Sequence, residues 1–205
     1  MTGRLYCLVL AALLLCPTFS FAADWDVEQL MQMLAQTRSG HVRFVETKTI
    51  AMLDKPVESS GELFYKAPDH LEKRTLKPKP ETMVLDQGLL QVERGRQKHS
   101  LRMQDYPELA AFIDSIRGTL AGDRQALERN FRLSLDGSRQ NWNLRLVPAN
   151  DKMLAVVKRI DIAGEKEIVK RIEISQADGD SSLMLIEPID ADREDSKPNE
   201  HPTSP

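Results

Sequence analysis

The chain is expected to form an α+β domain, an antiparallel sheet of about eleven strands with its helices set apart, and three observations lead there. The stretch from Val42 to Arg102 alternates apolar and polar residues and is cut by turn residues at intervals of about eight to twelve positions. A further alternating series runs from Phe131 to Ile186. Helical spacing of apolar residues is confined to the segments that precede and separate these two series. A sheet of this kind can keep one face in water and offer the other to something apolar.

Arg4, the apolar run Leu5 to Leu15 and the small residues of Ser20-Phe21-Ala22-Ala23 read as a secretory signal peptide over residues 1–22. The run is too short to remain as a membrane span. Without an Arg-Arg pair, the general secretion route is the expected one. Leu13-Leu14-Leu15-Cys16 has the outline of a lipobox, but the residue before that cysteine is normally small and Leu15 is not. Cys7 and Cys16 are the only cysteines, so a chain cleaved after the signal has no thiol for a disulfide, a nucleophile or a thiolate metal site. An exported domain without cysteine suits a bacterial periplasm.

The folded domain is expected over residues 23–190. Asp24 or Asp26 caps a helix from about Val27 to Arg38, with Val27, Leu30, Met31, Leu34 and Ala35 along one stripe and Gly40 closing it. Strands then run over Val42–Ile50 and, after the turn at Leu53-Asp54-Lys55-Pro56, over Val57–Lys66. In the second of these, Leu63 and Tyr65 share one face and Glu58 and Glu62 the other. Ala67-Pro68-Asp69 breaks the run, Leu71–Leu76 resumes it, and Pro78 and Pro80 stop it. Met83–Leu85, a turn at Asp86-Gln87-Gly88, Leu89–Glu93, a turn at Arg94-Gly95-Arg96 and Ser100–Arg102 complete the first series.

Asp105, Pro107 and Glu108 open a second helix, an acidic cap followed by an early proline and a first-turn acid. In it Leu109, Phe112, Ile113, Ile116 and Leu120 recur at helical steps, and Gly118 or Gly122 ends it. A shorter helix from Arg124 to Arg129 is capped by Asp123. Phe131–Leu135 and Trp142–Val147 form a hairpin about Asp136-Gly137-Ser138. Met153–Ile162 and Ile168–Ser175 flank Ala163-Gly164-Glu165, and Asp178-Gly179-Asp180 turns the chain into Ser182–Ile186. Acids, Pro, Asn and Ser dominate residues 191–205, which are expected to be a disordered tail.

The 205 residues are 41% hydrophobic and 29% charged, which suits one domain with a sizeable core. A net charge of −3 with dispersed Lys and Arg, and only 5% aromatics, excludes a basic footprint or stacking platform for nucleic acid. No G-x-S-x-G elbow, glycine-rich phosphate loop or H-E-x-x-H is present. His41, His70, His99 and His201 have no ligand spacing, and Asp178-Gly179-Asp180 lacks the remaining oxygens of an EF-hand loop. Glu58 and Glu62 share a wet face rather than a catalytic cleft. No catalytic residue, cofactor or metal is therefore expected. The Leu109–Leu120 stripe has two readings: a helix packed permanently on the sheet, or one that covers a concave sheet and moves when a lipid chain enters.

Val42-Arg43-Phe44-Val45-Glu46-Thr47, then Glu58-Ser59-Ser60-Gly61-Glu62-Leu63, Tyr65-Lys66-Ala67-Pro68 and Met83-Val84-Leu85-Asp86-Gln87-Gly88 resemble, in this order, the LolA family of periplasmic lipoprotein carriers. That family has an F-x-Q-type first strand, a G-x-L strand leading to a proline, and a V-x-D-G turn. The likeness continues more loosely through the Asp105–Leu120 helix and Trp142–Pro148, and spans about Trp25 to Pro188. It implies an incomplete antiparallel β-barrel whose helices form a lid over an apolar cavity. It also implies a monomeric carrier that shields the acyl chains of a lipoprotein or other lipidic cargo between an inner-membrane donor complex and an outer-membrane acceptor. Three departures stand out. Ala67 occupies the position of the family's lid-fastening arginine, Leu71-Glu72-Lys73-Arg74-Thr75 is charged where the family is aromatic, and Gln87 separates Asp86 from Gly88. With Pro107-Glu108-Leu109-Ala110-Ala111-Phe112, these resemble a divergent branch whose members often accompany fatty-acid or aryl-polyene biosynthesis genes.

On that scaffold, strand alternation selects Phe44, Leu63, Tyr65, Leu71, Met83 and Leu85 as the concave lining, with Phe112, Ile113 and Ile116 from the lid. A register error of one residue would exchange the faces. Two other classes use the same elements: an envelope sensor or interaction module without transport, and an enzyme acting on an acyl or polyene substrate.

Overall fold

A computed structural model describes residues 25–189; the signal peptide expected over 1–22 and the tail expected over 191–205 lie outside the described residues. The first series forms β1 (Ser39–Thr49), β2 (Val57–Lys66), β3 (His70–Lys77), β4 (Glu81–Asp86), β5 (Leu89–Arg94) and β6 (Gln97–Arg102). The second forms β7 (Phe131–Gly137), β8 (Trp142–Pro148), β9 (Val157–Glu165), β10 (Ile168–Gln176) and β11 (Ser181–Pro188). The helices are α1 (Val27–Leu34), α2 (Pro107–Ala121), α3 (Arg124–Glu128) and α4 (Asp151–Leu154).

All eleven strands belong to one antiparallel sheet in the order β6-β5-β4-β3-β2-β1-β11-β10-β9-β8-β7. Two meanders are thus joined where the first strand meets the last, with Phe44 opposite Ile186. β6 and β7 stand at opposite edges, so the sheet is open and does not close into a barrel. Each turn pairs sequence neighbours, which is why the local signals of the chain suffice to order either meander.

Several element limits differ from the sequence expectation, each for a local reason. Asp26 Oδ1 accepts from the Gln29 N–H at 2.9 Å and starts α1, but the helix ends at Leu34 rather than Arg38. Ser39 and Gly40 pair with Lys66 and Tyr65 in the ladder, so Gly40 is a strand residue and not a cap. Asp105 does not cap α2: it belongs to a single 3-10 turn, Met103–Asp105, and Tyr106 fills the capping position without a side-chain bond. Gly122, at φ +66°, closes α2 where a Cβ would lie 2.2 Å from the Met31 carbonyl oxygen. Asp136 and Gly137 pair with Asn143 and Trp142, so the hairpin turns after them. The strand expected from Met153 starts at Val157, because the Asn150 side chain accepts from the Met153 N–H at 2.9 Å and caps α4.

The main core lies over the second meander. Leu30, Met31, Met33 and Leu34 of α1 pack against Leu144, Leu146, Ile160 and Ile162, all 4% exposed or less. Over the first meander Phe44 and Tyr65 are buried, and further out a small separate cluster is formed by Leu85, Leu90 and Met103. α1 therefore fills one half of the sheet's inner face. The other half is left to α2.

A candidate ligand cavity under the second helix

The pairing register carries one face across the first meander without a break. Val42 faces Leu63, Leu63 faces Lys73 and Lys73 faces Met83 in one row. Gly40, Tyr65, Leu71, Leu85 and Leu90 form the next. Phe44 occupies the same face opposite Gly61, where a Cβ would lie 2.0 Å from the Arg74 carbonyl oxygen. The six strand residues chosen from alternation thus share a side, and it is the side that α1 and α2 cover.

Between this face and α2 lies a cavity of about 740 Å³. Leu63, Tyr65, Leu71, Met83 and Leu85 line it from the sheet, and Phe112, Ile113 and Ile116 line it from α2. Phe44 is placed differently: it does not line the cavity but is 2% exposed in the sheet face, with the Lys73 ammonium 4.8 Å from its ring centroid. Sequence reasoning confined the lining to the first meander and missed Ile172, Ile174, Met184 and Ile186, which the β1–β11 pairing brings round. A volume in the range of about 300–1,000 Å³ is what whole small ligands occupy in apolar clefts.

The seating of α2 explains why the space stays open. Its buried side consists of Ala111, Ser115, Gly118 and Thr119, all small. Ser115 Oγ donates to the Phe112 carbonyl at 2.6 Å and Thr119 Oγ1 to the Ser115 carbonyl at 2.7 Å, so the hydroxyls are satisfied inside the helix and enter the packing as small plugs. Gly118 sits against Leu127 of α3. The large residues Leu109, Phe112, Ile113, Ile116 and Leu120 remain only half-buried and border the cavity. Apolar surface left unfilled forgoes about 25 cal/mol per Å² of burial that a guest could restore.

The face is not uniformly apolar. Glu46, 4% exposed, stands two residues beyond Phe44 on the same side of β1. Its carboxylate accepts from Lys73 Nζ at 2.5 Å, Ser182 Oγ at 2.7 Å and Ser59 Oγ at 3.4 Å, with Lys48 Nζ at 3.6 Å. Burial alone would raise the Glu46 pKa, but the Lys73 bond and charge, the Ser182 bond and the Lys48 charge together hold it below the ordinary 4.5. Glu46, Lys48, Lys73 and Ser182 all border the cavity. No sequence motif marked them; their parity with Phe44 and Leu71 was the available signal.

At the other end of the same face the Tyr65 hydroxyl is buried without a hydrogen-bond partner among the described residues. Burial pushes its pKa up, and the guanidiniums of Arg38 and Arg117 act in the opposite sense. An unpaired buried hydroxyl costs about 1–3 kcal/mol. Ala67 lies in the turn after β2 with its N–H on the Arg38 carbonyl at 2.8 Å, and its methyl group offers the helix no bond. Arg117 of α2 pairs with Asp114 of its own helix at 3.0 Å. Glu58 and Glu62 are on the opposite face of the sheet, where Glu62 meets His41 at 3.3 Å.

The architecture is thus an open antiparallel sheet with one helix packed over half of its inner face and another roofing an apolar cavity over the other half. The chain belongs to the family described as outer membrane lipoprotein carrier protein LolA-like, whose model matches residues 20–197. No curated protein matches the sequence significantly. Among solved structures it is similar to a LolA superfamily protein from Nitrosomonas europaea (TM-score 0.44, 10% identity, 81% of this chain and 94% of that one). A DUF1329 family protein from Desulfovibrio piger matches with TM-score 0.47 and 10% identity, over 80% of this chain and 91% of that one. The Pseudomonas aeruginosa MucA/MucB complex contains a further match, with TM-score 0.44 and 12% identity over 83% of this chain and 61% of that one.

Proposed function

We propose that the protein works in the bacterial periplasm as a carrier, shielding the acyl chains of a lipoprotein or other lipidic cargo between an inner-membrane donor and an outer-membrane acceptor. One observation carries the reading: the large apolar residues of α2 border a void of about 740 Å³ instead of filling it. The family to which the chain belongs points the same way. Each methylene transferred from water is worth about 0.8 kcal/mol, so one long chain brings on the order of ten kcal/mol before ordering costs are subtracted. Apolar contact needs no directional partner, and Met83 and Met184 can adapt to chains of different length. An interaction module built on the same sheet would have no use for such a void, and an enzyme would need a nucleophile and base within it.

The test is uptake of a fluorescent long-chain fatty acid by the purified protein and by Phe112→Glu. Phe112 is half-buried, so the variant is expected to fold, with circular dichroism as the check. A charge placed in the cavity wall should lower affinity by at least tenfold, since an unpaired charge in an apolar site costs several kcal/mol. Equal uptake by both proteins would rule out the cavity as the binding place.

A further inference from the structure

The polar cluster in the cavity wall says something about the head of the guest, provided the acyl-binding reading above holds. Glu46 is the only carboxylate in the cluster, and two ammoniums, Lys73 and Lys48, surround it. The carboxylate accepts from Lys73, Ser182 and Ser59, so its own needs are met. Lys73 has three N–H donors, and among the described residues only one is used, on Glu46. Its side chain is 23% exposed and borders the cavity between Leu63 and Met83. Around Glu46 the wall therefore holds two ammoniums and one carboxylate beside the apolar side chains of Leu63, Leu71, Met83 and Leu85, while Glu72, Glu108 and Glu167 border the cavity elsewhere.

We infer that the cavity takes an anionic single-chain amphiphile, its carboxylate or phosphate on the Lys73 ammonium and its alkyl chain along Leu63, Leu71 and Leu85 beneath α2. Ser182 and Ser59 hold Glu46 in place, and Glu46 holds Lys73 over the Phe44 ring, which fixes the ammonium at the wall rather than in solvent. Glu46 also opposes the guest, because its own charge repels an incoming anion. Its presence sets the affinity at a level that permits release. A neutral ester or alcohol with the same chain would gain the apolar contacts but nothing from Lys73.

The experiment measures binding of palmitate, hexadecyl phosphate and hexadecanol, each by displacement of a neutral fluorescent alkyl probe, to the native protein, Glu46→Gln and Glu46→Gln/Lys73→Met. The native protein should prefer the anionic ligands over hexadecanol. Glu46→Gln keeps an acceptor for Lys73 and removes the repulsion, so the preference should rise about tenfold, the scale of one charge-assisted hydrogen bond. The double variant should lose the preference while binding hexadecanol as before. The ratio of palmitate to hexadecyl phosphate in the native protein tells a fatty carboxylate from a phosphate head. A purely structural pair would leave the preference unchanged in Glu46→Gln, and that result overturns the inference even if the double variant fails to fold. Native protein that binds all three ligands equally also overturns it and leaves the acyl-binding reading intact. Native protein that binds none defeats both.

Discussion

Glu46 is nearly sealed from water on a face that is otherwise greasy, and its neighbours decide its charge. Lys73 and Lys48 outweigh the burial that would neutralise it, so its pKa in the folded chain lies below the ordinary 4.5. A depressed carboxylate contributes stability that is fully present above its unfolded value and lost as the pH falls through its folded value. Removing one partner of a fully buried pair costs about 3–5 kcal/mol. Lys73 is partly exposed, so Glu46→Ala is expected to destabilise by about 2 kcal/mol at pH 7. Urea unfolding from pH 7 downward should show the difference shrinking once the pH drops below 4.5. This pair was half legible beforehand. Glu46 and Lys48 share parity with Phe44, and Lys73 with Leu71, so alternation alone turns them inward. Their charge argued for water, and that argument lost because Lys73, reaching across β2 from β3, and Lys48 of β1 itself neutralise the Glu46 carboxylate.

Among the elements, α2 departs most from a simple reading. Its greasy stripe was plain from the spacing of Leu109, Phe112, Ile113, Ile116 and Leu120, but such a stripe normally marks the packed side. Here the packed side is the small-residue row Ala111, Ser115, Gly118 and Thr119. Small residues let a helix sit close against α1 and α3 and leave the large ones to hold the space beside it open. Ser115→Leu should therefore unseat the helix, with a loss of about 1–3 kcal/mol from overpacking. Faster probe entry in stopped-flow fluorescence, alongside the lowered thermal midpoint, would mark the helix as the roof of the cavity; unchanged entry would argue that the roof does not move. The other misjudged limits were all at element ends, where Ser39–Gly40 joined a ladder with Lys66 and Tyr65 and Asn150 capped a helix through the Met153 N–H three residues on.

For the molecule as a whole, the asymmetry of the core is the governing feature. The second meander is backed by α1 and by Leu144, Leu146, Ile160 and Ile162, each 1% exposed or less. The outer part of the first meander rests on Leu85, Leu90 and Met103 and on a cavity. Local opening follows buried contacts, so amides of β8–β10 should exchange with deuterium far more slowly than those of β5 and β6. A bound acyl chain should add protection to β3–β5, β10 and α2 and little to β7 and β8. Uniform exchange along the sheet would contradict an empty half.

Alternation, turn residues and helical spacing were enough to place eleven strands in two meanders, to separate the helices from them, and to choose a single face across six residues, because each of these follows from contacts close in sequence. Nothing local could bring β11 against β1, put Ile172, Ile174, Met184 and Ile186 round the same space, or turn α2 so that its small side is buried and its large side borders the cavity. Those depend on where distant surfaces meet, and volume is a property of what surrounds a residue rather than of the residue. A cavity has no residue of its own to be read.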